Sequence, residues 1–213
     1  MFSGIVEQLA PVISIEKSPG QSVSIKVDLG RLADETRRGD SVCINGVCLT
    51  ATNKQGSVVS FDAIEETLRV TNLGTLVAGS KVNVERSLRL NDRVAGHFVT
   101  GHIDKTGTIF RVEKEQDGSL KMFIKTEQDV MMLMTRKGSV AVDGISLTVV
   151  DVTKDAFSVC LIPTTLSLTT LGYKREGDIV NIEADMIGKY VMRYLNEISP
   201  RDPSRQNQLV SAS

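Results

Sequence analysis

The second half of this chain repeats its first, and no other feature limits its fold as tightly. Glu7-Gln8-Leu9-Ala10-Pro11-Val12-Ile13-Ser14-Ile15-Glu16-Lys17 lies over Asp104-Lys105-Thr106-Gly107-Thr108-Ile109-Phe110-Arg111-Val112-Glu113-Lys114 at an offset of 97. The register then slips by one. Asn45-Gly46-Val47-Cys48-Leu49-Thr50 lies over Asp143-Gly144-Ile145-Ser146-Leu147-Thr148, and Val82-Asn83-Val84-Glu85 over Val180-Asn181-Ile182-Glu183, both at an offset of 98. Two copies of one domain follow, meeting near Gly96 and His97. The 213 residues suffice for two small domains with cores that need no disulfide or metal staple.

Within a copy, apolar residues recur at every second position. Val23, Ile25, Val27 and Leu29 alternate with Ser24, Lys26 and Asp28, the pattern of a half-buried strand, and Leu120, Met122 and Ile124 repeat it. Val58–Phe61 and Phe157–Leu161 read as later strands. Asn45-Gly46 and Asp143-Gly144 predict two-residue hairpins, because both central positions of a type I′ turn need positive φ. The first such turn sets Ile44 opposite Val47 and Cys43 opposite Cys48. Asp129–Thr135 predicts a single short helix, and five or six strands per copy predict a small closed barrel. After Asp185 the period changes: Ile187, Tyr190, Val191, Tyr194, Leu195 and Ile198 fall on one face of a helix that Pro200 ends. An amphipathic helix appended to two barrels predicts self-association or a cover over a barrel mouth. The remainder, rich in Ser, Gln, Asn and Arg, predicts a disordered tail.

Composition excludes several classes of function. With 25 Lys+Arg against 26 Asp+Glu the formal net charge is -1, which does not recruit nucleic acid. The longest apolar run, Val130–Met134, is far short of the ~20 residues a membrane span needs. Met1-Phe2-Ser3-Gly4-Ile5-Val6 lacks the basic region and apolar stretch of a signal peptide, predicting a cytoplasmic protein in which Cys43, Cys48 and Cys160 are free thiols. Cys43 with Cys48 and His97 with His102 are the only close pairs of soft ligands, and neither has further partners at metal-site spacing, so no metal is expected. No phosphate-cradling glycine loop occurs.

The opening Met1-Phe2-Ser3-Gly4-Ile5-Val6, Gly101-His102-Ile103, Cys48-Leu49-Thr50, Asp143-Gly144-Ile145-Ser146-Leu147-Thr148, and the paired Thr71-Asn72-Leu73-Gly74 and Thr169-Thr170-Leu171-Gly172 together resemble the riboflavin synthase family, from Met1 to about Asp185. The resemblance implies an all-β fold of two tandem six-stranded antiparallel Greek-key β-barrels plus a C-terminal α-helix. Residues 1–96 would form the first lumazine-binding barrel, 97–185 the second, 186–199 an oligomerisation helix and 200–213 the tail. It further implies a homotrimer with ligand sites between barrels of neighbouring subunits. The implied reaction is that of a transferase without metal or organic cofactor, the last step of riboflavin biosynthesis. Two molecules of 6,7-dimethyl-8-ribityllumazine exchange a four-carbon unit, giving riboflavin and 5-amino-6-ribitylaminopyrimidinedione.

Carried over by position, the substrate-binding residues of the first barrel would be Gly4, Ile5, Val6, Cys48, Leu49, Thr50, Asp62, Ala63, Ile64, Glu65, Glu66 and Thr67. Those of the second would be Gly101, His102, Ile103, Lys137, Ser146, Leu147, Thr148, Ile162, Pro163, Thr164, Thr165, Leu166 and Ser167. Glu66 has Thr164 as its counterpart, so the copies differ there. Two identical substrates must end in different roles, and the repeat supplies the asymmetry: Cys48 matches Ser146, Ile5 matches His102 and Ser87 matches Asp185. Cys48, His102, Ser146 and Asp185 are therefore the catalytic candidates. The lumazine 7-methyl group must lose a proton, and an imidazole exchanges protons near neutrality, with an unperturbed pKa of ~6.5. Each residue also has a plainer reading: His102 bonded to a backbone carbonyl, Cys48 a small buried hydrophobe, Ser146 and Thr148 ordinary strand residues, Lys137 solvated, Asp185 a helix N-cap. His97, five residues before His102 on an extended segment, is expected to face the other way and mark the boundary. Beside the enzyme stand two alternatives on the same sequence: a noncatalytic lumazine- or flavin-binding protein, and a structural double barrel whose helix recruits partners.

Overall fold

The computed structural model describes residues 1–17 and 22–198, so the expected tail over 200–213 lies outside the described residues. The first copy forms β1 (Gln8–Lys17), β2 (Val23–Asp28), β3 (Ser41–Ile44), β4 (Val47–Gln55), β5 (Val58–Ala63) and β6 (Lys81–Arg86). The second forms β7 (Lys105–Lys114), β8 (Leu120–Lys125), β9 (Ser139–Val142), β10 (Ile145–Val152), β11 (Ala156–Leu161) and β12 (Ile179–Ala184). Each set closes into a barrel with the same cyclic order, β1-β2-β5-β4-β3-β6 and β7-β8-β11-β10-β9-β12. Closure pairs every strand on both sides, so neither barrel presents a sheet edge.

The period-two pattern sorts side chains as expected. Ile25 and Val27 are fully buried inside the first barrel with Val42, Ile44, Val59 and Phe61, while Ile109, Met122, Ile124, Phe157 and Val159 fill the second. Val59 and Phe61 are matched by Phe157 and Val159, the same two side chains in exchanged order, which conserves core volume. The helices are short apart from the last: α1 (Glu65–Val70), α2 (Gln128–Met131), α3 (Pro163–Leu168) and α4 (Met186–Ile198). The helix expected over Asp129–Thr135 begins one residue earlier and closes at Met131. Asp185 Oδ1 accepts the Ile187 N–H at 3.0 Å, so Asp185 does cap α4. The apolar stripe of α4 packs on neither barrel: Ile187, Tyr190, Val191, Tyr194, Leu195 and Ile198 are all exposed.

The two hairpin tips decide how the barrels meet. Asn45, Gly46, Asp143 and Gly144 all have positive φ, as the two-residue turns require. The tips touch, since a Cβ on either Gly46 or Gly144 would stand 2.7 Å from the amide nitrogen of the other. Buried polar side chains then cross between the copies in matched pairs. Asn83 Nδ2 donates to the Asp143 carbonyl and Asn181 Nδ2 to the Asn45 carbonyl, both at 2.8 Å. The Asn72 N–H donates to Asn181 Oδ1 at 2.7 Å, and the Thr170 N–H to Asn83 Oδ1 at 2.8 Å. The symmetry fails at Asp143, which replaces an asparagine by an acid. Burial pushes its carboxyl up to about 6, against the pull of Lys174 and of bonds from Asn181 and Asn72. On the other side of the contact Phe2, Cys43, Val99 and Ala141 form a small apolar cluster.

Candidate functional site

In each barrel one pair of neighbouring strands parts before it ends. β4 and β5 pair from Gln55↔Val58 only as far as Ala51↔Phe61, although β4 begins at Val47 and β5 continues to Ala63. Cys48–Thr50 and Asp62–Thr67 therefore form the two lips of a cleft. In the second barrel the β10–β11 pairing stops at Val149↔Val159, leaving Ser146–Thr148 and Ile162–Ser167 in the same relation. The hairpin register determines what these lips offer. Ile44↔Val47 and Val42↔Leu49 alternate with Cys43↔Cys48 and Ser41↔Thr50. In a two-residue hairpin the second set exchanges no backbone bonds, so Cys48 and Thr50 turn their N–H and C=O groups into the cleft. Ser146 and Thr148 do the same opposite Ala141 and Ser139. Leu49 points into the core, whereas Ile64 and Ile162 stand exposed at matching places on the lips.

The clefts are completed by exchange. The Cys48 N–H donates to the Gly101 carbonyl at 2.9 Å, and the Ser146 N–H to the Gly4 carbonyl at 2.8 Å. Ile103 packs on the first core and Val6 on the second. Gly4, Ile5 and Val6 thus belong to the second barrel's cleft, and Gly101, His102 and Ile103 to the first, the reverse of the allocation that the repeat suggests. The cause is the pairing of Phe2 with Val99, whose N–H groups reach each other's carbonyls at 2.7 and 3.1 Å. The leading segments cross there and continue onto opposite barrels. Both crossings need glycine: φ is +76° at Gly4 and +82° at Gly101, and a Cβ would lie 2.6 Å from Ser146 Cβ or 2.5 Å from Cys48 Cβ. Two buried glutamates hold the crossings. Glu85 accepts from the Ser3 N–H (2.7 Å), the Ser3 hydroxyl and the Gly4 N–H, and Glu183 from the Thr100 N–H (2.7 Å), the Thr100 hydroxyl and the Gly101 N–H. Burial raises the Glu85 carboxyl above the usual carboxylate range, opposed by the Ser3 and Gly4 bonds.

The two clefts differ where the chemistry would be. Cys48 is half-buried in the first, and burial pushes the thiol of its strand partner Cys43 well up, with Glu85 and Glu183 adding to the effect. His102 is exposed beside Gly101. In the second, Ser146 Oγ lies 2.7 Å from Nδ1 of His97, which is only 9% exposed. His97 stays at the second barrel because its N–H bonds the Ser3 carbonyl, while the chain beyond Val99 moves to the first; a single-strand alternation does not describe that bend. Gly96, just before it, lies against Ser146, where a Cβ would stand 2.7 Å from Ser146 Cβ. Asp185, besides capping α4, acts on His97 through its charge. Lys137 has φ +67°, and its N–H donates to the Val149 carbonyl next to Thr148. Its counterpart is Gly39, at φ +92°. A lysine held where the other copy uses glycine costs about 1 kcal/mol. Glu66 is paired with Arg69 at 2.7 Å, and Thr164 accepts from Ser167 through its carbonyl.

A cavity of about 800 Å³ lies around Arg86, Arg89, Glu7 and Glu35, with Ile5 in its lining. These groups are already ion-paired with one another, Arg86 to Glu7 at 2.6 Å and Arg89 to Glu35 at 3.0 Å. Among the described residues no cluster of three or more His, Cys, Asp or Glu is arranged to hold a metal ion, and no helix is long and apolar enough to cross a membrane.

The lumazine binding domain model matches this chain twice, over residues 3–87 and 100–185. The riboflavin synthase of Bacillus subtilis (strain 168) is 39% identical over 197 residues, covering 92% of this chain and 91% of that one. The riboflavin synthase of Escherichia coli (strain K12) is 38% identical over 208 residues, 98% of each. Among solved structures, LumP complexed with riboflavin superimposes with a TM-score of 0.78 at 25% identity, covering 86% of this chain and 99% of that one. LumP complexed with 6,7-dimethyl-8-(1'-D-ribityl) lumazine gives 0.77 at 24% identity, with the same coverage.

Proposed function

This chain belongs to the riboflavin synthase family of duplicated lumazine-binding domains, and from that membership we propose that it takes one 6,7-dimethyl-8-ribityllumazine into each kind of cleft and transfers four carbons between them. The products are riboflavin and 5-amino-6-ribitylaminopyrimidinedione, and the reaction is that of a transferase. The observation that carries this reading is the pair of matched clefts whose reactive positions differ, Cys48 beside Gly101 in one and Ser146 beside Gly4 and His97 in the other. Matched clefts suit two copies of one molecule, and the difference lets those copies take unlike parts.

In each cleft the free main-chain groups at Thr50 or Thr148 would bond the pyrimidine edge, Ile64 or Ile162 would cover the ring, and Lys137 would favour an anionic lumazine. Cys48, His102, Ser146 and Asp185 are the proposed reactive groups. Four-carbon transfer needs the two ligands face to face, so clefts of different copies must meet. The bare stripe of α4 supports a homotrimer that brings them together, with the protein working in the cytoplasm. A binder of the LumP shape is the second reading, and turnover separates the two: Cys48→Ser, which copies the second barrel, should slow flavin formation at least tenfold while lumazine affinity changes less than threefold. Equal activity in Cys48→Ser and the parent would remove Cys48 from the chemistry.

A further inference from the structure

We propose that His97, acting through the Ser146 hydroxyl, is the proton relay of the second barrel's cleft, so that the lumazine held there is the one that gives up its 7-methyl proton. This rests on the lumazine reading above. His97 Nδ1 and Ser146 Oγ are 2.7 Å apart, and Ser146 stands on the cleft lip with Thr148. The imidazole is held in place: its backbone N–H bonds the Ser3 carbonyl at 3.1 Å, and Gly96 lets the segment press on the serine, since a Cβ there would lie 2.8 Å from Oγ. Nε2 is buried without a partner among the described residues. A buried ring nitrogen left unpaired costs about 1–3 kcal/mol, and proton capacity gives a reason to bear that cost. The first cleft offers no match, having Cys48 at the serine position and an exposed His102.

The step balances without a further reagent. The 7-methyl C–H bond breaks, its proton passes to Ser146 Oγ as the serine proton passes to His97 Nδ1, and the electron pair spreads into the lumazine ring. An imidazolium and a ring anion remain, with Ser146 neutral again. Asp185 and Glu183 are the charged groups that act on His97, and both favour the imidazolium. Burial outweighs them and holds its pKa below the ordinary imidazole range, so the ring is a free base at neutral pH. His97 is thus a positioning and relay residue, with Ser146 the group that meets substrate.

Exchange of the 7-methyl protons in D2O, followed by NMR on the full chain with 6,7-dimethyl-8-ribityllumazine, tests the relay apart from flavin formation. The parent should exchange the methyl, with an acid limb below the range of a free imidazole. His97→Gln and Ser146→Ala should each slow exchange about a hundredfold, while lumazine affinity, read by fluorescence quenching, moves less than threefold. The Ser146→Ala variant leaves the His97 site packed, so it decides the matter if His97→Gln misfolds. Exchange at the parent rate in Ser146→Ala, or a loss of affinity as large as the loss of exchange, would overturn the relay. A parent that exchanges the methyl but forms no flavin would overturn the dismutation and leave the relay standing; one that does neither would overturn both.

Discussion

Gly101 lies across Cys48: the Cys48 N–H donates to its carbonyl at 2.9 Å, and a Cβ on Gly101 would stand 2.5 Å from Cys48 Cβ. A residue of the second repeat thereby completes the cleft of the first, as Gly4 of the first completes the cleft of the second. Neither barrel has a whole cleft of its own.

Alanine at either crossing should therefore damage the opposite barrel. Gly101→Ala combines a left-handed φ with a clash against Cys48, and should cost about 2 kcal/mol or more in urea unfolding. Lumazine titration should show one class of site lost, with Gly4→Ala losing the other. Two intact classes of site in Gly101→Ala would refute the exchange of segments.

The thiols of Cys43 and Cys48 are directly opposed in a pair without backbone bonds. Such pairs have Cα atoms ~4.5 Å apart, inside the ~4.4 to 6.8 Å range of disulfides. Hydrogen peroxide should link them, with two thiols oxidised and the peroxide reduced to water. Activity should fall, return with dithiothreitol, and resist oxidation in Cys43→Ala, which copies Ala141 of the second barrel. Peptide mass spectrometry reads the link directly, and an oxidised protein without it, or Cys43→Ala losing activity as fast as the parent, goes against the pairing.

Asp143 gives the barrel contact a pH dependence. Its folded pKa of about 6 lies above the ~3.9 of an unfolded aspartate, so between those values the folded state holds a proton that the unfolded chain has released. Its contribution is at its best below pH ~4 and is lost as pH rises to about 6, by about 3 kcal/mol in all. Asp143→Asn, which copies Asn45, removes that term. Urea unfolding at several pH values should show the variant gaining on the parent from pH 4 to 6 and then holding its lead; a difference independent of pH would be contrary to the burial argument.

The stripe on α4 is too apolar to stay bare. If that stripe holds the proposed homotrimer together, deleting residues 187–213 should leave only monomers by light scattering. Trimers that persist would assign assembly to the barrels.

The barrels were legible because alternation along Val23–Leu29 and the Asn-Gly and Asp-Gly turns are local signals, and the opposed cysteines followed from turn geometry alone. The crossing was not. An alignment of repeats places Gly4 with the barrel it precedes, and only the pairing of Phe2 with Val99, nearly a hundred residues apart, sends it to the other. His97 does face away from His102, as strand alternation implies, but its contact with Ser146 across 49 residues leaves no local pattern in the sequence. Asn72, Asn83 and Asn181 look like turn and strand residues in sequence, yet they are buried in the contact between barrels.

Full-length protein incubated with 6,7-dimethyl-8-ribityllumazine as the sole organic reactant, and analysed by chromatography over time, tests the dismutation most directly. Two lumazines should disappear for each riboflavin formed, with one pyrimidinedione released beside it. Lumazine that binds, shown by quenched fluorescence, but is recovered unchanged would contradict it and leave a binding protein.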